Sequence, residues 1–289
     1  MGMRYKDFCI FILTYGRPDR VITYNSLIKA GCKYPIYFII DNEDKTADQY
    51  YKNFGKDRVI MFDKLVISKT FDTGDNFDDR KCIVYARNAC FNIAKKLGYT
   101  YFLELDDDYT DFRYKFNDKG RYHDYIVHKN IDKVLSITLK YYKTISALTI
   151  SYSQGGDFIG GSIGTGAESI HIKRKAMNTF FCSILRPFQF IGRINEDVNT
   201  YVSLGGRGKL IFQINNFAIQ QLETQSNLGG MTEIYLESGT YIKSFYTVMY
   251  SPSCTKIGLM GVVKPRLHHK INWNNAVPMI ISEDYKKVG

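Results

Sequence analysis

Three short apolar runs, each stopping abruptly at a polar cluster, constrain this chain more than any other feature. Phe8, Cys9, Ile10, Phe11, Ile12 and Leu13 give way at once to Thr14, Tyr15, Gly16, Arg17 and Pro18. Tyr37 to Ile40 stops at Asp41 and Asn42, and Tyr101 to Leu105 stops at Asp106, Asp107 and Asp108. A run that is apolar at every position, rather than at every second one, marks a strand covered on both faces. Val59 to Phe62 is a weaker run of the same kind. Helical stretches lie between them, one closed by Gly31 and one with Cys82, Ala86, Ala89, Ile93 and Leu97 at helical spacing, closed by Gly98. Strand and helix in alternation predict an α/β chain with a Rossmann-like, mostly parallel sheet flanked by helices. Ligands of such sheets bind outside the carboxyl ends of the strands, so the three polar clusters are the first places to look.

After Asp108 the pattern changes. Residues 109–130 are polar and aromatic, a helix is expected over 131–142 and a strand over 145–151, and a glycine-rich stretch follows. The last 70 or so residues read as short strands and turns. With 6 prolines, no repeat and no low-complexity tract, nothing announces a linker, which predicts one unit over 1–289 with halves at 1–115 and 116–289.

The formal net charge is +10, an excess that favours a polyanionic partner. It is unevenly placed: residues 41–80 carry 7 basic and 10 acidic side chains, whereas residues 173–193 carry 5 basic and none acidic. The six cysteines form no CxxC pair and several lie in apolar runs, which suits reduced thiols in the cytoplasm. The longest early apolar run is too short for a membrane span, and no membrane or obligate protein partner is expected.

Several groups suit particular chemistry. In extended backbone Asp106 and Asp108 point to one side, and a hard cation such as Mg²⁺ or Mn²⁺ takes one or two carboxylates and completes its shell with water and phosphate oxygens. The alternative is a solvated acidic turn with Asp106 as a helix cap. Arg80 and Arg87 are two helical turns apart and would meet a diphosphate, or else pair with Asp78 or Asp79. Asn195 reads as an N-cap with Glu196 and Asp197 in the first turn, where the helix dipole alone also favours acids. Gly160, Gly161, Gly164 and Gly166 match neither a P-loop nor a dinucleotide fingerprint. Adjacent His268 and His269 in a strand would face opposite ways, so at most one would ligate a metal, and ordinary packing is the alternative. Lys173, Arg174 and Lys175 are candidates for nucleic-acid phosphates.

The order of these motifs, from Thr14–Pro18 through Asp41 and Asn42, Ala86 to Ala89, Asp106–Asp108 and Ile172 to Arg174 to Asn195–Asp197, resembles the nucleotide-sugar glycosyltransferases of GT-A fold over residues 8–215. Arg193 to Val198 with Gly205 to Gly208, Tyr241 to Tyr246, and Arg266 to His269 with Trp273 and Pro278 resemble the TET-associated glycosyltransferases of bacteriophages, whose acceptor is a hydroxymethylated pyrimidine in DNA. The resemblance implies a UDP-sugar donor, with glucose or arabinose as the sugar, and an acceptor-side lobe in the second half. Thr14, Arg17 and Asp41 would hold the uridine and Arg80 and Arg87 would face the diphosphate. Asp106 and Asp108 would be the metal and ribose contacts of the DxD motif, both of them on the metal and Asp106 also on the donor, with His268 or His269 near the metal and Asp197 as the base. Asp41 and Asn42 lack the Gly-Ser that often follows in such enzymes, and Asp107 puts an acid in the middle of the DxD pattern. Rival readings are a DNA-binding protein without affinity for uridine nucleotides, a GT-A transferase with a protein, lipid or glycan acceptor, and a two-metal nuclease or polymerase. The last has no use for Thr14 to Pro18 or Asp41.

Overall fold

A computed structural model describes residues 6–75, 80–158, 170–222, 242–260 and 265–286. The first half forms β1 (Phe8–Leu13), α1 (Ile22–Lys29), β2 (Ile36–Asp41), α2 (Ala47–Phe54), β3 (Val59–Phe62), α3 (Lys64–Ser68), α4 (Val84–Leu97) and β4 (Tyr101–Asp106). Every residue of β1 is buried, and its two faces feed two cores. Phe8, Ile10 and Ile12 join Leu27, Phe38 and Leu139 on one face, whereas Cys9, Phe11 and Leu13 join Val84, Cys90 and Ile93 on the other. The unbroken apolar run is the sequence form of that double burial.

The strands run β3-β2-β1-β4, all parallel. The chain therefore steps outward from β1 to β3 and returns to set β4 on the other side of β1. This reversal opens a crevice at the carboxyl ends of β1 and β4, where Leu13 lies beside Asp106.

The second half adds β5 (Tyr109–Phe116), β6 (Tyr122–Ile126), α5 (Ile131–Thr144), β7 (Thr149–Gln154), β8 (Ile170–His171), β9 (Thr179–Ser183), α6 (Glu196–Gly206), β10 (Ile211–Gln221), α7 (Ile242–Tyr250), β11 (Thr255–Met260), β12 (Arg266–Ile271) and α8 (Trp273–Ala276). The sheet continues β4-β9-β7-β10-β5-β6, with β8 on β10, and β11 and β12 pair separately. Only β9, β5 and β8 oppose the common direction among the described strands, so the expected α/β fold with a mostly parallel, helix-flanked sheet is present. The 115/116 division falls inside β5, whose neighbours in the sheet come from the second half.

Some expectations shift. Residues 109–130 contain β5 and β6, which lack a clean alternation because β5 is buried at only every third position. The strand expected at 145 begins at Thr149, after the turn that ends α5. The C-terminal stretch contains a helix, α7, besides strands. Gly160, Gly161, Gly164 and Gly166 lie outside the described residues, as do Asp78 and Asp79. All six cysteines are free, five of them buried. No helix among the described residues is long and apolar enough to cross a membrane.

Helix α6 approaches α8 through a glycine. A Cβ on Gly205 would collide with the Ala276 carbonyl oxygen, whereas one on Gly206 would meet open space. Gly205→Ala is therefore expected to lower stability by roughly 1–3 kcal/mol through overpacking. Gly206→Ala should be neutral or stabilising by up to about 1 kcal/mol through helix propensity. Urea unfolding of both variants checks the contrast, and equal midpoints would contradict the close approach.

Candidate active site

The loop after β1 is built onto the end of β4. The Thr14 hydroxyl donates to Asp107 Oδ2 at 2.7 Å, and Arg17 Nη1 meets Asp107 Oδ1 at 3.0 Å. From α2, the Tyr50 hydroxyl accepts the Arg17 N–H at 2.8 Å and lies 2.8 Å from Thr14 Oγ1. The Gly16 N–H donates to Asp44 Oδ2 at 2.8 Å. On the other side the Thr23 hydroxyl donates to the Asp106 carbonyl at 2.6 Å, and the Tyr109 N–H donates to Thr23 Oγ1 at 2.9 Å. Strand β4 ends at Asp106, so Asp107 and Asp108 stand in a turn rather than in extended backbone. The middle acid, which had no role in the sequence pattern, is the one that ties β4 to the β1 loop.

Arg87, on α4, is 1% exposed. Its Nη2 meets Asp106 Oδ1 at 2.9 Å, its Nε meets Glu196 Oε1 at 3.0 Å, and its Nη1 lies 3.6 Å from Glu104 Oε2. Its guanidinium plane also stacks near the rings of Phe180 and Phe190. Expected to face a diphosphate, Arg87 is instead enclosed by carboxylates. Burial alone would lower its pKa, but Asp106, Glu196 and Glu104 outweigh that and hold it well above its usual range. Burial lifts the Glu104 carboxyl to about 8 and the Glu196 carboxyl to about 7, against the pull of Arg87. Arg80 precedes α4 and does not share a helix face with Arg87; it pairs with Glu43 at 2.8 Å.

Helix α6 carries Glu196 into this cage and Asp197 beside it. Asn195 occupies the N-cap position, but with φ 62° and no side-chain cap; its amide donates instead to Thr247 Oγ1 of α7 at 2.5 Å. Asparagine tolerates that left-handed backbone better than most residues. Thr247 donates in turn to Asn199 Oδ1 at 2.9 Å, which fixes α6 against α7. Glu196 of the first turn thus serves a tertiary contact rather than the helix dipole alone: it holds Arg87. The charge of Asp197 raises Asp106 and Glu196 and offsets Lys175 and Lys243. It lies on the border between an acidic and a basic region.

Asp108 belongs to the acidic side. Burial, then the charges of Asp106 and Asp107, push its carboxyl up to about 7. No side chain among the described residues hydrogen-bonds to it, and one oxygen of Asp106 is committed to Arg87. Among the described residues no three His, Cys, Asp or Glu side chains are placed to hold a metal by themselves. Two hard carboxylates crowded by like charge nevertheless fit Mg²⁺ or Mn²⁺, whose remaining ligands are water and phosphate. His268 and His269 do not fit that role. Their rings lie side by side, 4.2 Å apart, rather than on opposite faces, and the charges that bear on them are those of Lys175, Lys243 and Arg266.

The other expected residues form separate pairs. Asp41 is buried and bound to Lys64 at 2.9 Å, with burial raising its pKa despite that partner. Lys173 is exposed and meets Asn274 Oδ1 at 2.8 Å; Arg174 pairs with Asp157 through Nε at 2.9 Å; Lys175 is half-buried, and burial lowers its pKa. The three are therefore not one open basic face.

The family described as TET-Associated Glycosyltransferase matches residues 8–230. Among solved structures the chain is similar to the crystal structure of S. aureus TarS 1-349, with TM-score 0.44 and 10% identity over 86% of this chain; it spans 66% of that one, just under two thirds of its length. No curated protein matches the chain.

Two outcomes follow from the charge cage. Arg87→Met leaves buried carboxylates without their cation and should cost roughly 3–5 kcal/mol at pH 8. At pH 5, where Glu104 and Glu196 are protonated, the loss should be much smaller; denaturant unfolding at both pH values reads the difference. Carboxyls with folded pKa values above the ordinary range near 4 bind protons more tightly in the folded chain. Their destabilising effect is absent below the unfolded pKa and develops as pH rises towards 7 to 8. Thermal melts in EDTA should therefore show a falling midpoint from pH 5 to pH 8, flattened by Mn²⁺ and by Asp108→Asn. A midpoint that rises over this window would contradict the crowding.

Proposed function

The chain belongs to the TET-associated glycosyltransferase family, and from that premise we propose that it transfers a sugar, glucose or arabinose, from a UDP-sugar to the hydroxymethyl group of 5-hydroxymethylcytosine or a related pyrimidine in DNA. The observation that carries this reading is the position of Asp197 in the first turn of α6, beside the Glu196 that holds Arg87, with its charge bearing on Asp106 on one side and on Lys175 and Lys243 on the other. A transfer from a nucleotide sugar needs both: a cation site for the leaving diphosphate and a base for the acceptor hydroxyl.

On this reading Asp197 takes the acceptor proton as the hydroxyl oxygen attacks the anomeric carbon and the bond to the diphosphate breaks, an inverting single displacement. A divalent cation held by Asp106 and Asp108 would offset the charge that builds on the leaving diphosphate. Arg17 and Arg80, both partly exposed although paired with Asp107 and Glu43, are two first-half cations that would meet a donor. Thr14 shapes the donor loop through Asp107, and Asp41 does so through Lys64. Arg87 and Glu196 position Asp106 and Asp197 instead of touching substrate. The basic second half, with Lys173 exposed, suits a DNA backbone; the sheet that β1 to β10 share supports reading residues 1–289 as one catalytic unit, and the six free cysteines suit the cytoplasm.

The test is UDP release from a panel of UDP-sugars with plain and hydroxymethylated DNA. Release that depends on the hydroxymethyl group is expected; release indifferent to DNA would move the acceptor to a protein, lipid or glycan. Asp197→Asn should lower the rate by about 10²- to 10⁴-fold. NMR of the product's anomeric centre should show inversion, and retention would end the base assignment whatever the variant does.

A further inference from the structure

The two histidines left without a metal lie where three parts of the second half converge. Helix α7 packs on both β11 and β12. The segment after β8 is tied to the same region: Lys173 Nζ meets Asn274 Oδ1 of α8 at 2.8 Å, and the Tyr201 hydroxyl of α6 donates to the Ile172 carbonyl. Lys175 comes from that segment, Lys243 from α7, and Arg266, His268 and His269 from β12. His269 is 4% exposed, and both of its ring nitrogens, with Nδ1 of His268, are buried without a hydrogen-bond partner among the described residues. A neutral imidazole always carries one N–H, so His269 holds a donor with no settled acceptor, and His268 can offer a second from Nδ1.

The charges facing the pair are Lys175, Lys243 and Arg266, and the carboxylates bordering this group are Asp197 and, on the Lys175 side, Asp157, which Arg174 holds. A metal cation there would be repelled by three positive side chains and offered only imidazole nitrogens. An oxyanion would meet the reverse: positive potential, buried N–H donors and a partly dry wall, in which charge-assisted hydrogen bonds are strong. We infer that Lys175, Lys243, Arg266, His268 and His269 form an oxyanion subsite that takes a phosphate group. It stands beside Asp197 and opposite the carboxylates, so its occupant is a phosphate of the reacting substrates. That placement rests on the glycosyl-transfer reading; the anion site itself does not. The phosphate belongs either to the donor's diphosphate or to the backbone of the acceptor DNA.

Inorganic pyrophosphate is the first probe, titrated into the full chain while the imidazole resonances of His268 and His269 are followed by NMR. Both should shift saturably. The double variant Lys243→Met with Arg266→Met, checked for a native circular-dichroism spectrum, should bind pyrophosphate at least tenfold more weakly. Unmoved resonances in the wild-type chain, or equal affinity in the folded variant, would overturn the subsite. So would saturable line broadening of these resonances by Mn²⁺ alone in an Asp106→Asn, Asp108→Asn variant, in which the carboxylate site is removed. Competition by UDP assigns the site to the donor, and competition by a short hydroxymethylated duplex assigns it to the acceptor. Pyrophosphate binding in a chain that never releases UDP would count against the transferase reading and leave the subsite standing.

Discussion

One buried guanidinium organises the candidate site. Arg87 gathers Glu104 from β4, Asp106 from the end of β4 and Glu196 from the start of α6, and so joins elements from both halves of the chain. A charge that deep is tolerable only if it is neutralised in place, because desolvation without a partner costs several kcal/mol. The converse constraint is as strong: the carboxylates can be crowded here only because Arg87 is among them. The direction of Asp106, and the approach of α6 that brings Asp197 beside it, both follow from satisfying this one cation.

Arg87 does not neutralise the whole cluster. Asp107 takes Arg17, while Asp108 keeps a carboxyl lifted to about 7. A few residues further on the imbalance has the opposite sign, where Lys175 and Lys243 have lowered pKa values and the two imidazoles are held neutral. Asp197 stands between the two fields. Crowded charge of opposite sign on either side of one carboxylate is poor design for stability alone. It is what a site that receives a cation and a polyanion requires.

Much of this was legible in the chain. The uninterrupted apolarity of Phe8 to Leu13 and the apolar run of Tyr101 to Leu105, broken only by Glu104, gave away doubly covered strands, and a parallel sheet puts their polar ends on one edge by geometry alone. Even Glu104 left a trace, as the single charge inside an apolar run, because a buried carboxylate must find a partner. Its partner was not readable: Arg87 lies 17 positions away on a helix, and the pairing depends on how α4 crosses the sheet. The helix reading of Arg80 and Arg87 failed for a local reason, since α4 begins only at Val84. The opposite-face rule failed for His268 and His269 because it fixes backbone direction, not how two rings settle between α7 and a neighbouring cationic segment.

The sequence by itself determined the four parallel strands of the first half, where they stop and that acids cluster at one of the stops. These are properties of short stretches, set by apolar periodicity and by glycine and proline. The tertiary structure alone decided which charges are neutralised. It assigned Asp107 to Arg17, Asp41 to Lys64 and Arg87 to three carboxylates, left Asp108 without a side-chain donor among the described residues, and placed the histidines among cations rather than acids. Charge pairing depends on distance and burial between residues far apart in sequence, and both are fixed only when the helices have docked on the sheet.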